Sequence, residues 1–428
     1  MSAFSQTFGP HRGGRAAAGM GAAAVAVTLL AAPAAATEAA AQKPAPGSTA
    51  RTAAAAVKMS LPAPTVRRPV GTVPLHLIDR SRSDSLAPSK PYRELMVSIW
   101  YPARKADRLP LAPQMPPHAA ADFDRNTAAD LGVAPGQVNW AATMSHARVG
   151  APLDRGAAPL PVVLYSPGLD GPRALGTALI EELAARGYIV VSVDHTYQPD
   201  QVEFPGGRVE RGRLPQDPSE EEWDKLVKVL VSTRVADLRF VLNELARMDR
   251  GHNPDAGGRA LPAGLRGALD LSRTGMFGHS FGGAMAAQLL ADDRRLDAGI
   301  NLDGNLYGPV VQSGVTKPFM QVAGETTTRE SVPSWKTFWD RSSGWKREAR
   351  FIGTQHLSFC DAQAMLPQIA KELPNIPVAE TVGTIDPDRS IAAQRAYVTA
   401  FFDLHLRGRH THLFDRPSSR YPEVKLIP

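Results

Sequence analysis

Met276-Phe277-Gly278-His279-Ser280-Phe281-Gly282-Gly283 joins a short apolar run to a helical one, and its reading decides the fold. A serine hydroxyl at neutral pH is a poor nucleophile, so a catalytic serine needs an exposed Oγ and a base within reach. A sharp turn from strand to helix provides the exposure. Glycines on either side let the helix pack close to the strand and relieve the strained turn, which gives the pattern Gly-x-Ser-x-Gly. The chain contains one match, Gly278 to Gly282, with a strand expected at Thr274–Phe277 and a helix starting over Gly282–Leu290. A Gly-rich turn with a structural serine is the bland alternative, and placement between strand and helix argues against it.

On both sides of this turn, short apolar runs alternate with longer helical patterns, the signature of an α/β sheet. Leu75–Ile78 and Leu95–Tyr101 read as an opening antiparallel pair. Leu160–Tyr165 and Tyr188–Val193 are β-branched and nearly continuous in apolar character, as strands buried on both faces should be. Ala174–Arg186 and Val231–Leu245 carry apolar residues at helical spacing. Ala298–Leu302, Phe319–Ala323 and Ala349–Ile352 supply three further strands, and Ile391–Leu406 a closing helix. Two stretches, 103–157 and 198–222, are rich in Pro, Gly and charge and resist assignment to core elements. Loops of that length are usually lids or binding segments, so they are candidates for a cap, with inert surface insertions as the alternative.

A serine nucleophile requires an imidazole to take its proton and a carboxylate to hold the imidazole's tautomer, here in the order Ser, acid, His. After Ser280 the histidines are His356, His405, His410 and His412. His356 follows the strand expected at Ala349–Ile352 by a short loop, where the base belongs. His405 falls in the closing helix and His410 and His412 in a polar tail, so surface positions are expected for all three. Asp303 and Glu325 each follow a strand end, and either could serve as the acid. The oxyanion of acyl transfer needs two backbone N–H donors, one normally from the residue after the nucleophile, which is Phe281. The second is expected from Tyr165-Ser166-Pro167-Gly168-Leu169-Asp170-Gly171. Pro167 has no N–H and Gly168 permits an unusual turn, which points to Leu169.

The chain resembles the platelet-activating factor acetylhydrolases of the plasma and intracellular type II kind and their bacterial relatives. The likeness runs from roughly Gly71 to Asp361. It rests on Tyr101-Pro102, Tyr165-Ser166-Pro167-Gly168-Leu169, Asp194-His195, the turn at Ser280, Leu302-Asp303 and the run from His356 to Asp361. It implies the α/β-hydrolase fold, a mostly parallel central sheet flanked by helices, to which stretches 103–157 and 198–222 are the candidates for cap insertions. It also implies catalytic residues Ser280, Asp303 and His356, oxyanion donors Leu169 and Phe281, and esters of short acyl groups such as the acetyl of an ether phospholipid. Pro167 departs from the animal enzymes, which carry His there. A general carboxylesterase, lipase or polyester hydrolase is the nearest rival, and a non-catalytic exported binding protein of the same fold the rival from another class.

With 428 residues, 43% of them apolar and 21% charged, the chain can bury a full-sized core. Its net charge of +6 is scattered, so attraction to anionic membrane surfaces is weak at most, and no nucleic-acid-binding motif is present. His11, Arg12 and Arg15, then an Ala-rich apolar stretch, then small residues through Ala36 form the order of an export signal over 1–36. A flexible Ala/Pro-rich lead-in is expected over 37–69 and the catalytic domain over 70–428 of a secreted protein. The lone cysteine, Cys360, permits no intrachain bridge, and a buried structural role is expected for it. No metal or organic cofactor is implied. A small-molecule or lipid ester is the expected partner, and the oligomeric state is left open.

Overall fold

The computed structural model describes residues 56–156 and 159–428. The expected export signal, and the lead-in as far as residue 55, lie outside the described residues. An eleven-stranded sheet forms the centre. Its strands are β1 (Val70–Asp79), β2 (Arg93–Pro102), β3 (Leu111–Pro113), β4 (Met144–Val149), β5 (Leu160–Ser166) and β6 (Ile189–Asp194), then β9 (Leu269–His279), β10 (Leu296–Leu302), β11 (Phe319–Ala323), β12 (Lys346–Phe351) and β13 (Val424–Ile427). A separate hairpin pairs β7 (Gln201–Glu203) with β8 (Val209–Arg211). The sheet order is β13-β12-β11-β10-β9-β5-β6-β2-β1-β4-β3.

From β6 through β5, β9, β10 and β11 to β12 every pairing is parallel. Parallel strands need crossovers, usually helices, and these helices cover both faces of the sheet. The side chains of β5 divide accordingly, since successive residues of a strand point to opposite faces. Val162 and Leu164 join the core under α3 (Glu220–Asp249) and α4 (Phe281–Asp292). Val163 and Tyr165 join the core under α2 (Thr177–Ala185) and the helix Pro387–Arg407. Met276 and Phe277 split the same way, immediately before the turn that carries Ser280. The fold is the α/β-hydrolase fold.

Several expectations shift in detail. The opening pair forms as read, with Leu75 opposite Val97. The helix expected over Val231–Leu245 is twice that length, because Ser219 caps its start: Ser219 N–H donates to Glu222 Oε2 at 2.8 Å, and Glu222 N–H to Ser219 Oγ at 3.3 Å. Stretch 198–222 is therefore a hairpin followed by the first turn of α3. Stretch 103–157 adds β3 and β4 to the sheet and forms α1 (Pro117–Asn126). Phe123, Val133 and Trp140 of this stretch share a core with Leu366 and Ile369 of the helix Ala362–Glu372, just beyond His356. The expected lead-in is also shorter than 37–69, since Met59 and Leu61 are buried in that same core and Val57 bridges Val138. Three apolar residues among Ala and Pro are too few to give a periodic signal, yet enough to lay an extended segment on the domain.

The expectation of surface positions fails for His405, whose ring packs against Trp345 at 4.5 Å and Phe401 at 4.8 Å. His410 and His412 are exposed as expected. The polar tail does contain β13, which pairs antiparallel with β12 and covers that edge of the sheet.

Candidate active site

Ser280 follows β9 with φ 54° and ψ −125°, outside the region that most side chains tolerate. Its conformation is held from three sides. Its N–H donates to Leu302 O at 2.9 Å, and its carbonyl accepts from the N–H of Gly283 and of Ala284, at 2.9 and 3.3 Å, in the first turn of α4. Close approach explains two of the nearby glycines. A Cβ on Gly282 would overlap the carbonyl of Ser166, and one on Gly304 would overlap the carbonyl of Ser280. The turn is thus wedged between the ends of β5 and β10.

Asp303 follows β10 with a second positive φ, 56°. Its N–H donates to Val322 O at 2.8 Å, and its Oδ1 accepts from Gly324 N–H at 2.7 Å. The remaining oxygen, Oδ2, takes the Nδ1–H of His356 at 2.8 Å. That bond makes Nε2 the basic nitrogen of the imidazole. Asp303 is 2% exposed while the His356 side chain keeps 19%, so the carboxylate lies shielded behind an imidazole that solvent reaches. Glu325, the other sequence candidate for the acid, braces the loop instead: its Oε2 accepts from Gly353 N–H at 3.0 Å.

A family model for platelet-activating factor acetylhydrolase, isoform II, matches residues 84–415. The chain belongs to this family. A probable 1-alkyl-2-acetylglycerophosphocholine esterase of Arthroderma benhamiae is 30% identical over 381 residues, which is 82% of this chain and 90% of the relative. The platelet-activating factor acetylhydrolase of Bos taurus is 26% identical over 58% of this chain and 57% of its own length. Among solved structures, a ferulic acid esterase from Streptomyces cinnamoneus is similar at 37% identity and a TM-score of 0.70, covering 86% of this chain and 99% of that one. This member of the acetylhydrolase family is a carboxylic ester hydrolase.

The remaining stretches that carry the family likeness hold the site in place. Asp361 is buried and accepts from the N–H groups of Thr177 and Ala178, both at 3.0 Å, at the start of α2. Burial pushes its carboxyl up to about 6, against the pull of these donors. Its own N–H donates to Leu175 O at 2.8 Å, in the turn just before α2, so the loop bearing His356 is tied to that helix start in both directions. Asp194 pairs with Arg173, which also donates to Ser98 Oγ at 2.9 Å. Cys360 is buried as expected, and burial pushes its thiol up to about 12. A thiol held protonated is a poor nucleophile.

His279 was not singled out by sequence, although it stands inside the motif. Its Nε2–H donates to the carbonyl of His356 at 3.0 Å and the two rings lie 4.7 Å apart, so the residue before the serine steadies the loop of His356. Sequence reasoning also missed a second Ser-His-Asp chain, Ser166-His195-Asp237, with all three residues at 0% exposure. His195 Nδ1–H donates to Asp237 at 2.9 Å, so its Nε2 accepts from the Ser166 hydroxyl at 3.0 Å. Asp237 also takes Nη2–H of the buried Arg93 at 2.8 Å, and the guanidinium holds its carboxyl well below the usual carboxylate range despite burial. Burial pulls His195 down to about 3, which keeps it neutral. With no exposed oxygen this chain is scaffold beneath β5. Asp237 lies three residues after Arg234 on α3, a spacing that puts both on one helix face and could have hinted at the network.

Proposed function

We propose that Ser280 is the nucleophile, His356 the general base and acid, Asp303 the residue that orients His356, and the N–H groups of Leu169 and Phe281 the oxyanion donors. The 2.8 Å bond from His356 to the buried Asp303 carries this reading, because it fixes the imidazole tautomer at the sheet edge where the Ser280 turn projects. Oγ of Ser280 attacks the ester carbonyl as His356 Nε2 takes its proton, and the tetrahedral oxyanion is held by the two N–H groups. His356 then protonates the departing alcohol. Water, deprotonated by the same nitrogen, releases the acid from the acyl-enzyme.

For substrate, the reading is an ester with a short acyl group on a phospholipid-type alcohol, which the family's acetylhydrolases support. A hydroxycinnamate ester is the second reading, favoured by the higher identity to the ferulic acid esterase structure. A series of glycerophosphocholine esters of graded acyl length, run beside methyl ferulate and p-nitrophenyl acetate, separates them. A kcat/KM highest for the acetyl phospholipid supports the first, and one highest for methyl ferulate replaces it with the second. Labelling of Ser280 by a fluorophosphonate tests the nucleophile directly.

Export is proposed on the order of Arg, apolar and small residues before Ala36. Sequencing the N-terminus of protein from culture medium checks it, with a start near Thr37 expected. Among the described residues no helix is long and apolar enough to cross a membrane.

A further inference from the structure

Arg234 lies on α3, is fully buried, and among the described residues makes no carboxylate contact of its own. Nε–H donates to Gln198 Oε1 at 2.6 Å. Nη1 donates to Ser166 Oγ at 3.2 Å and to Pro167 O at 2.7 Å. Nη2 donates to Gly168 O at 3.0 Å and to Leu169 O at 3.1 Å. A guanidinium has five N–H donors in a fixed planar fork, and here all five have acceptors. Three of those acceptors are the consecutive carbonyls of the loop after β5. The guanidinium carbon also lies 5.0 Å from the centre of the Phe281 ring.

A trans peptide points its C=O and its N–H in opposite directions. The peptide joining Gly168 to Leu169 has its oxygen on Arg234, so the Leu169 N–H is aimed away from the guanidinium. Neither the Leu169 N–H nor the Phe281 N–H donates a hydrogen bond among the described residues. Burial lowers the pKa of Arg234 to about 9, opposed by Asp237 and Asp170, so the group is a cation at neutral pH. Its charge further polarises the peptides it holds.

We propose that Arg234 is the positioning residue of the oxyanion hole, fixing the peptide planes of the 167–169 loop so that the Leu169 N–H is set for the tetrahedral oxyanion before substrate arrives. The inference rests on Leu169 and Phe281 being the oxyanion donors. A fixed donor acts mainly on the transition state, because the oxyanion, more than the ground-state carbonyl, depends on its direction. Lysine in place of arginine keeps the charge but offers three donors on one rotating nitrogen, too few for the five acceptors here and without the planar fork that fixes the loop carbonyls.

The test compares Arg234→Lys with wild type for kcat, KM and the inhibition constant of a trifluoromethyl ketone, which forms a tetrahedral adduct on the serine. Expected are a fall in kcat of about 10²- to 10³-fold, a KM within about twofold, and a ketone constant weakened by a factor close to that of kcat. If Arg234→Lys does not fold, Gln198→Met takes its place. It removes only the Nε acceptor and leaves the loop contacts, so a smaller loss with the same joint change in kcat and ketone affinity is expected. A folded variant whose kcat and ketone constant both stay within about threefold of wild type, or whose KM alone moves, overturns the proposal. Turnover persisting in Ser280→Ala overturns the underlying reading of the site instead.

Discussion

The N–H of Ser280 is bonded to the carbonyl of Leu302 at 2.9 Å, which fixes the end of β9 to the end of the strand that leads into Asp303. Two residues with positive φ, Ser280 and Asp303, therefore stand side by side at the ends of adjacent strands, Ser280 held by Leu302 and Asp303 in turn by Val322 and Gly324. Strain of this kind persists only where the surroundings over-determine it. At this site they do.

Replacing Asp303 by asparagine should preserve the packing yet cost on the order of 10⁴ in kcat, because an amide no longer dictates which imidazole nitrogen carries the proton. Glu325→Gln should cost little, since the new amide oxygen can still accept from Gly353 N–H. Steady-state kinetics of both variants decides it, and a dead Glu325→Gln beside an active Asp303→Asn would reverse the assignment.

Ser280→Ala and His356→Ala should each lower turnover by about 10⁴-fold or more, and the double variant should be scarcely worse than either, as expected of groups that act together. Circular dichroism and thermal unfolding should be close to wild type. Losses that multiply in the double variant would show that the two residues act independently.

Gly282→Ala should destabilise the fold by about 3 kcal/mol or more, since its methyl meets the Ser166 carbonyl and not a flexible side chain. Gly136→Ala, at φ 82° with nothing near the new Cβ, should cost only about 1–2 kcal/mol from the left-handed backbone alone. Urea unfolding measures both, and equal losses would mean that crowding at the turn is not what constrains Gly282.

Burial, then the neighbouring His356, pulls His279 down to about 3, against roughly 6.5 for an unfolded histidine. The unfolded chain therefore takes up a proton below about pH 6.5 that the native protein refuses, so the stability linked to neutral His279 is complete above that pH and is lost as pH falls toward 3. In His279→Gln, whose amide can still donate to the His356 carbonyl, the fall in stability with acidification should be shallower by about 1.4 kcal/mol per pH unit. Urea titrations at several pH values between about 4 and 6 read the slope. Parallel slopes for variant and wild type would remove His279 from the acid response.

Local rules made the central sheet legible. Leu160–Tyr165, Phe319–Ala323 and the Gly278–Gly283 turn announce themselves through continuous apolar character and glycine spacing, and the strand–turn–helix order does the rest. For the acid, strand-end logic left both Asp303 and Glu325 open, and the family likeness, with the shorter side chain and the turn at Gly304, favoured Asp303, the carboxylate that bonds His356. What stayed hidden is what depends on distant pairs. β3 and β4 are short and sit in a Pro-rich stretch, so their strand character comes from pairing at the sheet edge and not from propensity. Arg234 and Asp237 read as ordinary helix residues and His195 only as part of the family likeness, because the buried hydrogen-bond network that joins them to Ser166 spans distant segments, and the three-residue spacing on α3 is at most a hint of it. His405 looked like a surface residue because Trp345, one of its two aromatic partners, is far away in the chain.

The tie between Asp361 and the start of α2 also bears on how activity arises during folding. Thr177 and Asp361 are 184 residues apart in sequence, and closing so long a loop costs entropy that is recovered only once both segments dock. The Ser280 turn is held by the strands beside it, whereas the His356 loop also needs this distant closure. Catalytic competence should thus be among the last properties acquired on refolding, appearing after most of the helical signal has returned. A chain stalled short of that closure would carry a formed serine turn and remain silent toward esters.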